Sequence, residues 1–132
     1  MNTKSDKTFD FWNDHSLEFL EMAMKRDYQE TLTSCNGYGK KTRECGDTIE
    51  FYLMIKNAVI QSVSYNIKGC LFSHACANTV IKFANGQTIE KARKIAANDI
   101  TVYLKTLPKE EAHCAAHALA AFHLAIDDYE KR

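Results

Sequence analysis

Residues 48–67 carry two alternating runs joined by a tight break, and this pattern commits the chain to a β-hairpin. In the first run, Ile49, Phe51, Leu53 and Ile55 fall on one face, and Glu50, Tyr52, Met54 and Lys56 on the other. A period of two is the mark of a strand with one face in a core and one in water. In the second run, Val59, Gln61, Val63, Tyr65 and Ile67 alternate with Ile60, Ser62, Ser64 and Asn66. Lys56-Asn57-Ala58 connects the two, and Asn57 tolerates a left-handed turn conformation. Antiparallel pairing sets the residues just before the first strand beside those just after the second. Cys45 and Asp47 are thereby expected to neighbour Cys70, although far from it in sequence.

Helical spacing surrounds the hairpin. Asn13, Asp14 or Ser16 can cap a helix running to about Leu32, with Leu17, Leu20, Ala23, Met24 and Tyr28 on its apolar face. Its acids Glu18 and Glu21 suit the positive end of the helix dipole. Residues 33–44 hold Asn36-Gly37, Gly39 and the basic Lys40, Lys41 and Arg43. They read as turn chemistry with a basic surface, with room for a short strand on either side but none that can be placed firmly. Ser73 can cap a helix over about 74–85, stopped by Gly86, and Thr88 one over 89–97. Asn98 or Asp99 can cap another over 100–107, broken by Pro108. A last helix spans about 110–130, favoured by Glu110 and Glu111 at its start, with Leu119, Phe122, Leu124 and Ile126 as apolar surface. Residues 1–12 read as a loose N-terminal arm, with Phe9, Phe11 and Trp12 docking at its end. The order of elements predicts a single α+β domain over residues 1–132. Its small antiparallel sheet has helices packed on one face.

Bulk properties narrow the function. Seventeen basic residues balance seventeen acidic ones, which argues against broad electrostatic binding to nucleic acid or to an anionic membrane surface. No stretch is long and apolar enough to span a bilayer, and the polar N-terminus lacks the apolar core of a signal peptide, so the cytoplasm is the expected location. Five cysteines is an odd number. In a reducing compartment, grouped cysteines are more often metal ligands or reactive groups than disulfides.

Three thiols stand where chemistry can use them. Cys114 lies in the first turn of the last helix and Cys70 near the start of another, positions whose unpaired N–H groups favour a thiolate. Together with Cys45 they suit a soft metal ion or an iron–sulfur cluster, and Asp47 offers a harder fourth ligand. A carboxylate there would hold zinc and make a cluster easier to exchange. There is no C-x-x-C pair, so zinc-finger patterns do not apply. Spacing alone leaves a shared site and scattered core cysteines on an equal footing. His113 precedes Cys114 and His117 follows it one turn on. The plain readings of the remaining groups are Cys35 as an incidental thiol, Cys76 as a small buried residue, His74 as a surface or capping residue, and His15, His117 and His123 as ordinary helix residues.

At these residues the sequence resembles the iron–sulfur cluster assembly scaffold family, the IscU proteins and the N-terminal domain of NifU. The matching pieces are Cys45-Gly46-Asp47 before an alternating strand, Gly69-Cys70 at the end of its hairpin, and Leu107-Pro108 leading to His113-Cys114, in order over roughly residues 35–132. The resemblance implies a three-stranded antiparallel sheet with helices on one side. It implies a carrier rather than an enzyme, with a cysteine desulfurase, an iron donor and apo iron–sulfur acceptor proteins as partners. Cys45, Cys70 and Cys114 would receive sulfur and ligate a transient [2Fe–2S] cluster, Asp47 would keep it labile, and His113 could join the site. Zinc would fit the same ligand set.

The departures are local. Thr42-Arg43-Glu44 stands where the family has Gly-Ala-Pro. Leu107-Pro108-Lys109-Glu110-Glu111 replaces Leu-Pro-Pro-Val-Lys, a chaperone-docking motif, so the resemblance does not carry over an Hsp70-type chaperone as partner. Cys76 is an extra thiol in the helix after Cys70. The interval from Cys70 to Cys114 shows no insertion of the SufU kind, which sets the chain nearer IscU. A zinc-binding, SufU-like sulfur acceptor and a structural or regulatory zinc domain are the competing expectations.

Overall fold

The computed structural model describes residues 14–132; the expected arm, its aromatic anchors and the Asn13 cap lie outside the described residues. The elements in order are α1 (Leu17–Met24), β1 (Gly37–Thr42), β2 (Thr48–Lys56), β3 (Val59–Lys68), α2 (Leu71–Ala84), α3 (Ile89–Arg93), α4 (Ala97–Leu104), a 3-10 turn (Lys109–Glu111) and α5 (His113–Lys131). The sheet is antiparallel in the order β1-β2-β3, and helices pack on it, as the alternation requires.

The hairpin forms as its pattern dictates. Lys56 pairs with Val59 across Asn57 and Ala58, whose φ values of 54° and 62° give the left-handed two-residue turn that matches strand twist. One feature breaks the alternation. Met54 faces Ser62, but Ile55 faces Ile60, so Gln61 is an extra residue bulging from β3. The bulge moves Ile60 to the core face, where it is fully buried with Val63 and Tyr65, and leaves Gln61 exposed.

β1 is a strand the sequence did not place. Gly37 and Gly39 conceal it, since neither has a side chain to alternate. Their role is close approach. A Cβ on Gly39 would collide with the backbone of Ala121 and Ala125, so α5 lies directly on β1 through its alanine face. Asn36 extends the pairing with its side chain, which donates to the Ile55 carbonyl at 2.7 Å and accepts from the Ile55 N–H at 2.9 Å.

α1 stops at Met24, well short of Leu32, for two tertiary reasons. Asn78 of α2 donates to the Met22 and Lys25 carbonyls at 2.8 and 3.0 Å, closing the helix end. Beyond it, residues 28–30 run along the free edge of β3, with the Tyr65 N–H on the Tyr28 carbonyl and the Glu30 N–H on the Tyr65 carbonyl, both 2.9 Å. Ser16 supplies the N-cap, accepting from the Phe19 N–H at 3.0 Å. Thr88 caps α3 as expected, while α4 begins earlier than expected, with Asp99 accepting from the Ala96 N–H.

The core lies between the sheet and α1, α2 and α5. Phe51 meets Phe122 edge-on at 5.7 Å, and Ile49, Leu53, Val80, Ile81 and Ile126 fill the space around them. Each such side chain contributes about 1.5–3 kcal/mol by leaving water. Leu124 is not part of this face: it is 42% exposed, and Ala118, Ala121 and Ala125 take the inner positions of α5 instead. Among the described residues no helix is long and apolar enough to cross a membrane.

Candidate metal centre

Three junctions converge at one end of the sheet. The first is the loop between β1 and β2. It is closed by the Arg43 N–H on the Asp47 carbonyl and the Gly46 N–H on the Arg43 carbonyl, each 2.8 Å, and by contact between the Thr42 and Thr48 hydroxyls. Gly46 has φ +99°, a conformation L side chains rarely adopt, in otherwise open space; glycine is needed for the backbone reversal alone. The reversal puts Cys45 at the exposed tip and turns Asp47 back toward the sheet.

The second junction follows β3. Thr48 pairs with Lys68, so Asp47 and Gly69 come next to one another, and a Cβ on Gly69 would lie 3.5 Å from the Asp47 carboxyl carbon. The hairpin therefore does set Asp47 beside the residue that precedes Cys70. Cys70 itself is the N-cap of α2, which starts at Leu71, three residues earlier than a Ser73 cap would give. Ser73 has a different position: its hydroxyl is 3.7 Å from Cys70 Sγ and donates to Cys114 Sγ at 3.9 Å, so it sits between the two thiols.

The third junction is the approach to α5. Pro108 starts a 3-10 turn in which the Glu111 N–H donates to the Pro108 carbonyl at 2.9 Å. The turn sets Glu111 against the helix start, with Oε1 accepting from Cys114 Sγ at 3.7 Å. One ligand atom each from Cys70, Glu111 and Cys114 lies within 4.8 Å of the others. His113 Nε2 stands 3.9 Å from the same Glu111 oxygen.

Burial governs the protonation of this corner. Cys114 is 1% exposed, and loss of hydration, with the neighbouring Cys70, pushes its thiol up to about 12, against the hydrogen bond from Ser73. Desolvation here opposes the favour that the helix start gives a thiolate. Cys76 is fully buried and its thiol is pushed up, first by desolvation, then by Cys114, Cys70 and Glu111. His117 is a buried support, its Nε2–H donating to the Lys41 carbonyl at 2.8 Å, and burial lowers its pKa. His74 is also buried, not at the surface or capping, with Nδ1 3.1 Å from the Tyr65 hydroxyl. Cys35 lies at the opposite end of β1 from Cys45.

The donor set fits a thiophilic metal. With metal–sulfur bonds of about 2.3 Å, two tetrahedral ligand atoms are about 3.8 Å apart, so closing the trio onto an ion takes shifts of about 1 Å. Sequence reasoning passed over Glu111, because an acid ahead of a helix is already explained by the dipole. Its place three residues before Cys114 was the available signal.

Comparison with known proteins agrees with the fold. Residues 27–132 match the model of the NifU-like N terminal domain family. The chain is 33% identical over 88 residues to iron–sulfur cluster assembly scaffold protein IscU 1 of Archaeoglobus fulgidus, covering 67% of this chain and 58% of that protein. It is 35% identical over 88 residues to the iron–sulfur cluster assembly protein IscU of Plasmodium falciparum, covering 67% and 54%. The matches thus span little more than half the length of these relatives. Two solved structures share the fold at 16% identity and a TM-score of 0.73. The NifU-like N-terminal protein of Brucella abortus covers 93% of this chain and 99% of that one. The putative iron–sulfur cluster assembly scaffold protein for the SUF system of Fervidobacterium islandicum covers 86% and 97%. On the extent of the family match, the chain belongs to the NifU-like N-terminal domain family.

Proposed function

We propose that the protein is an iron–sulfur cluster assembly scaffold, a carrier rather than a turnover enzyme. Cys45, Cys70 and Cys114 are its cluster ligands and sulfur acceptors, and Asp47 is the exchangeable fourth ligand. The observation that carries this reading is the meeting of Cys70 and Cys114 across Ser73, beside a hairpin loop that carries Cys45 and Asp47. Cys45 is exposed at the loop tip, where a donor protein can reach it. Cys114 lies deep, where water is excluded. The acceptor face of the cargo and its inner anchor are thus separate residues. Sulfur comes as persulfide sulfur from a cysteine desulfurase and iron as ferrous ion from a donor; the two ferrous ions and a thiol reductant together supply the electrons that bring the sulfur to sulfide, and the [2Fe–2S] cluster passes to apo-proteins.

The test is anaerobic reconstitution with ferrous iron, cysteine, a desulfurase and an excess of a thiol reductant, which supplies the electrons that reduce persulfide sulfur to sulfide. Wild-type protein is expected to develop the visible chromophore of a [2Fe–2S] cluster and to lose it to an apo-ferredoxin. Cys45→Ala, Cys70→Ala and Cys114→Ala each abolish it. A wild-type protein that stays colourless ends this reading.

A second reading is favoured by the compactness of the Cys70–Glu111–Cys114 trio, which suits a single ion. In it the protein is a zinc-bearing sulfur acceptor. Stoichiometric zinc that survives reconstitution, with faster desulfurase turnover and no chromophore, would distinguish it.

A further inference from the structure

We propose that Cys70, Glu111 and Cys114 form a divalent-metal half-site that fills without Cys45 and Asp47. Glu111 acts in it as a ligand, so that an ion loads there while Cys45, an exposed one of the three sulfur acceptors, keeps its thiol free. The inference rests on the scaffold reading for the identity of its cargo; the half-site itself is argued from geometry.

Three observations carry it. First, the three ligand atoms lie within 4.8 Å of one another, and Glu111 Oε1 is 3.7 Å from Cys114 Sγ. Sulfur and oxygen ligands of one tetrahedral ion are separated by roughly 3.5 Å, so this pair needs almost no rearrangement. Second, each ligand is held. Ser73 stands between the thiols, the 3-10 turn fixes the Glu111 backbone, and His113 Nε2 lies 3.9 Å from the same Glu111 oxygen. Third, Cys45 is not in the trio: it is exposed on a loop whose own hydrogen bonds hold its tip as a separate unit.

The charge balance is favourable. A divalent cation with two thiolates and one carboxylate leaves a net single negative charge and an open fourth position, as in metal sites that exchange a ligand. Asp47, beside Gly69, borders that opening. An ion seated on the trio can then accept a fourth ligand while Cys45 keeps a free thiol.

Cobalt(II) titration of the reduced, metal-free protein tests this, because its sulfur-to-cobalt absorption reports thiolate count apart from any cluster activity. Competition with a chromophoric chelator gives the affinity. Wild type, Cys45→Ala and Asp47→Ala are expected to bind one ion with two-thiolate intensity and affinities within a few-fold of one another. Glu111→Gln and Glu111→Ala, which lose a direct ligand, should bind at least about 100-fold more weakly, the upper end of what losing even an outer group costs, and His113→Ala less so. Circular dichroism and thermal melts of the metal-free variants establish that they fold. Loss of binding in Cys45→Ala equal to that in Cys70→Ala, or unchanged affinity in Glu111→Gln, overturns the half-site. In the latter case a wild-type cluster chromophore would leave the scaffold reading standing. Conversely, Glu111-dependent cobalt binding in a protein that builds no cluster would uphold the half-site and remove the scaffold reading.

Discussion

His74 sits in the second turn of α2, 9% exposed, with Nδ1 3.1 Å from the Tyr65 hydroxyl and its ring 5.7 Å from the tyrosine ring. Burial, and to a smaller degree the cationic Arg26, lower its pKa to about 4. In the unfolded chain the same imidazole takes a proton near pH 6.5. The folded state is therefore favoured above pH 6.5, and stability falls as pH drops from there toward 4, where the native histidine finally protonates. The expected loss from this group is on the order of 3 kcal/mol across that window. His74→Gln keeps an acceptor for Tyr65 and cannot titrate. Urea unfolding at pH 7, 5.5 and 4 should show a shallower decline in the variant, and parallel declines would refute the assignment. Nothing in the sequence marks this residue. Its buried setting depends on a β3 tyrosine, and the sequence does not show the pairing of the two.

At the scale of elements, the contact of β1 with α5 is the tightest constraint. Gly37 and Gly39 let a helix lie on a strand with backbone almost touching backbone, and Ala121 and Ala125 are the matching small residues. Gly39→Val should lower stability by about 3 kcal/mol, because the atoms it meets belong to the backbone and cannot step aside. Chemical denaturation measures this, and a loss under 1 kcal/mol would mean that the strand can shift. The hairpin was legible in the sequence because water on one side and core on the other impose a period of two. β1 was not, because glycine erases that period. The length of α1 was equally hidden, since the Asn78 side chain that ends it arrives from α2. The bulge at Gln61 was missed for a related reason: one unpaired residue inverts the faces beyond it, and alternation alone does not reveal where the partner strand skips.

Across the whole molecule, the candidate centre is a place where distant parts of the chain are tied together. Cys70 comes from the β3–α2 junction, Glu111 from the turn before α5 and Cys114 from the start of α5, and the β1–β2 loop lies beside them through Asp47 and Gly69. A metal that binds them only when assembled stabilises the fold by mass action, by about 2.7 kcal/mol when free metal is a hundred times the dissociation constant. For a chain of this size that is roughly a 10 °C rise in melting temperature. Scanning fluorimetry with and without zinc should show it for wild type, and Cys70→Ala and Glu111→Gln should lose most of it. A melting temperature indifferent to zinc would contradict the site. The nearness of Asp47 to the residue before Cys70 was legible because a hairpin brings known ends together. Glu111 was not, because its direction depends on a single 3-10 turn.

The two-residue turn at Asn57-Ala58 lies at the far end of the hairpin from this corner. At about 3.3 Å per residue, β2 sets it more than 20 Å from the thiols. A fluorophore or surface tether attached there would leave the ligands untouched and hold the molecule with its loading end outward. The hairpin thus doubles as a ready-made handle for watching cargo move between immobilised partners.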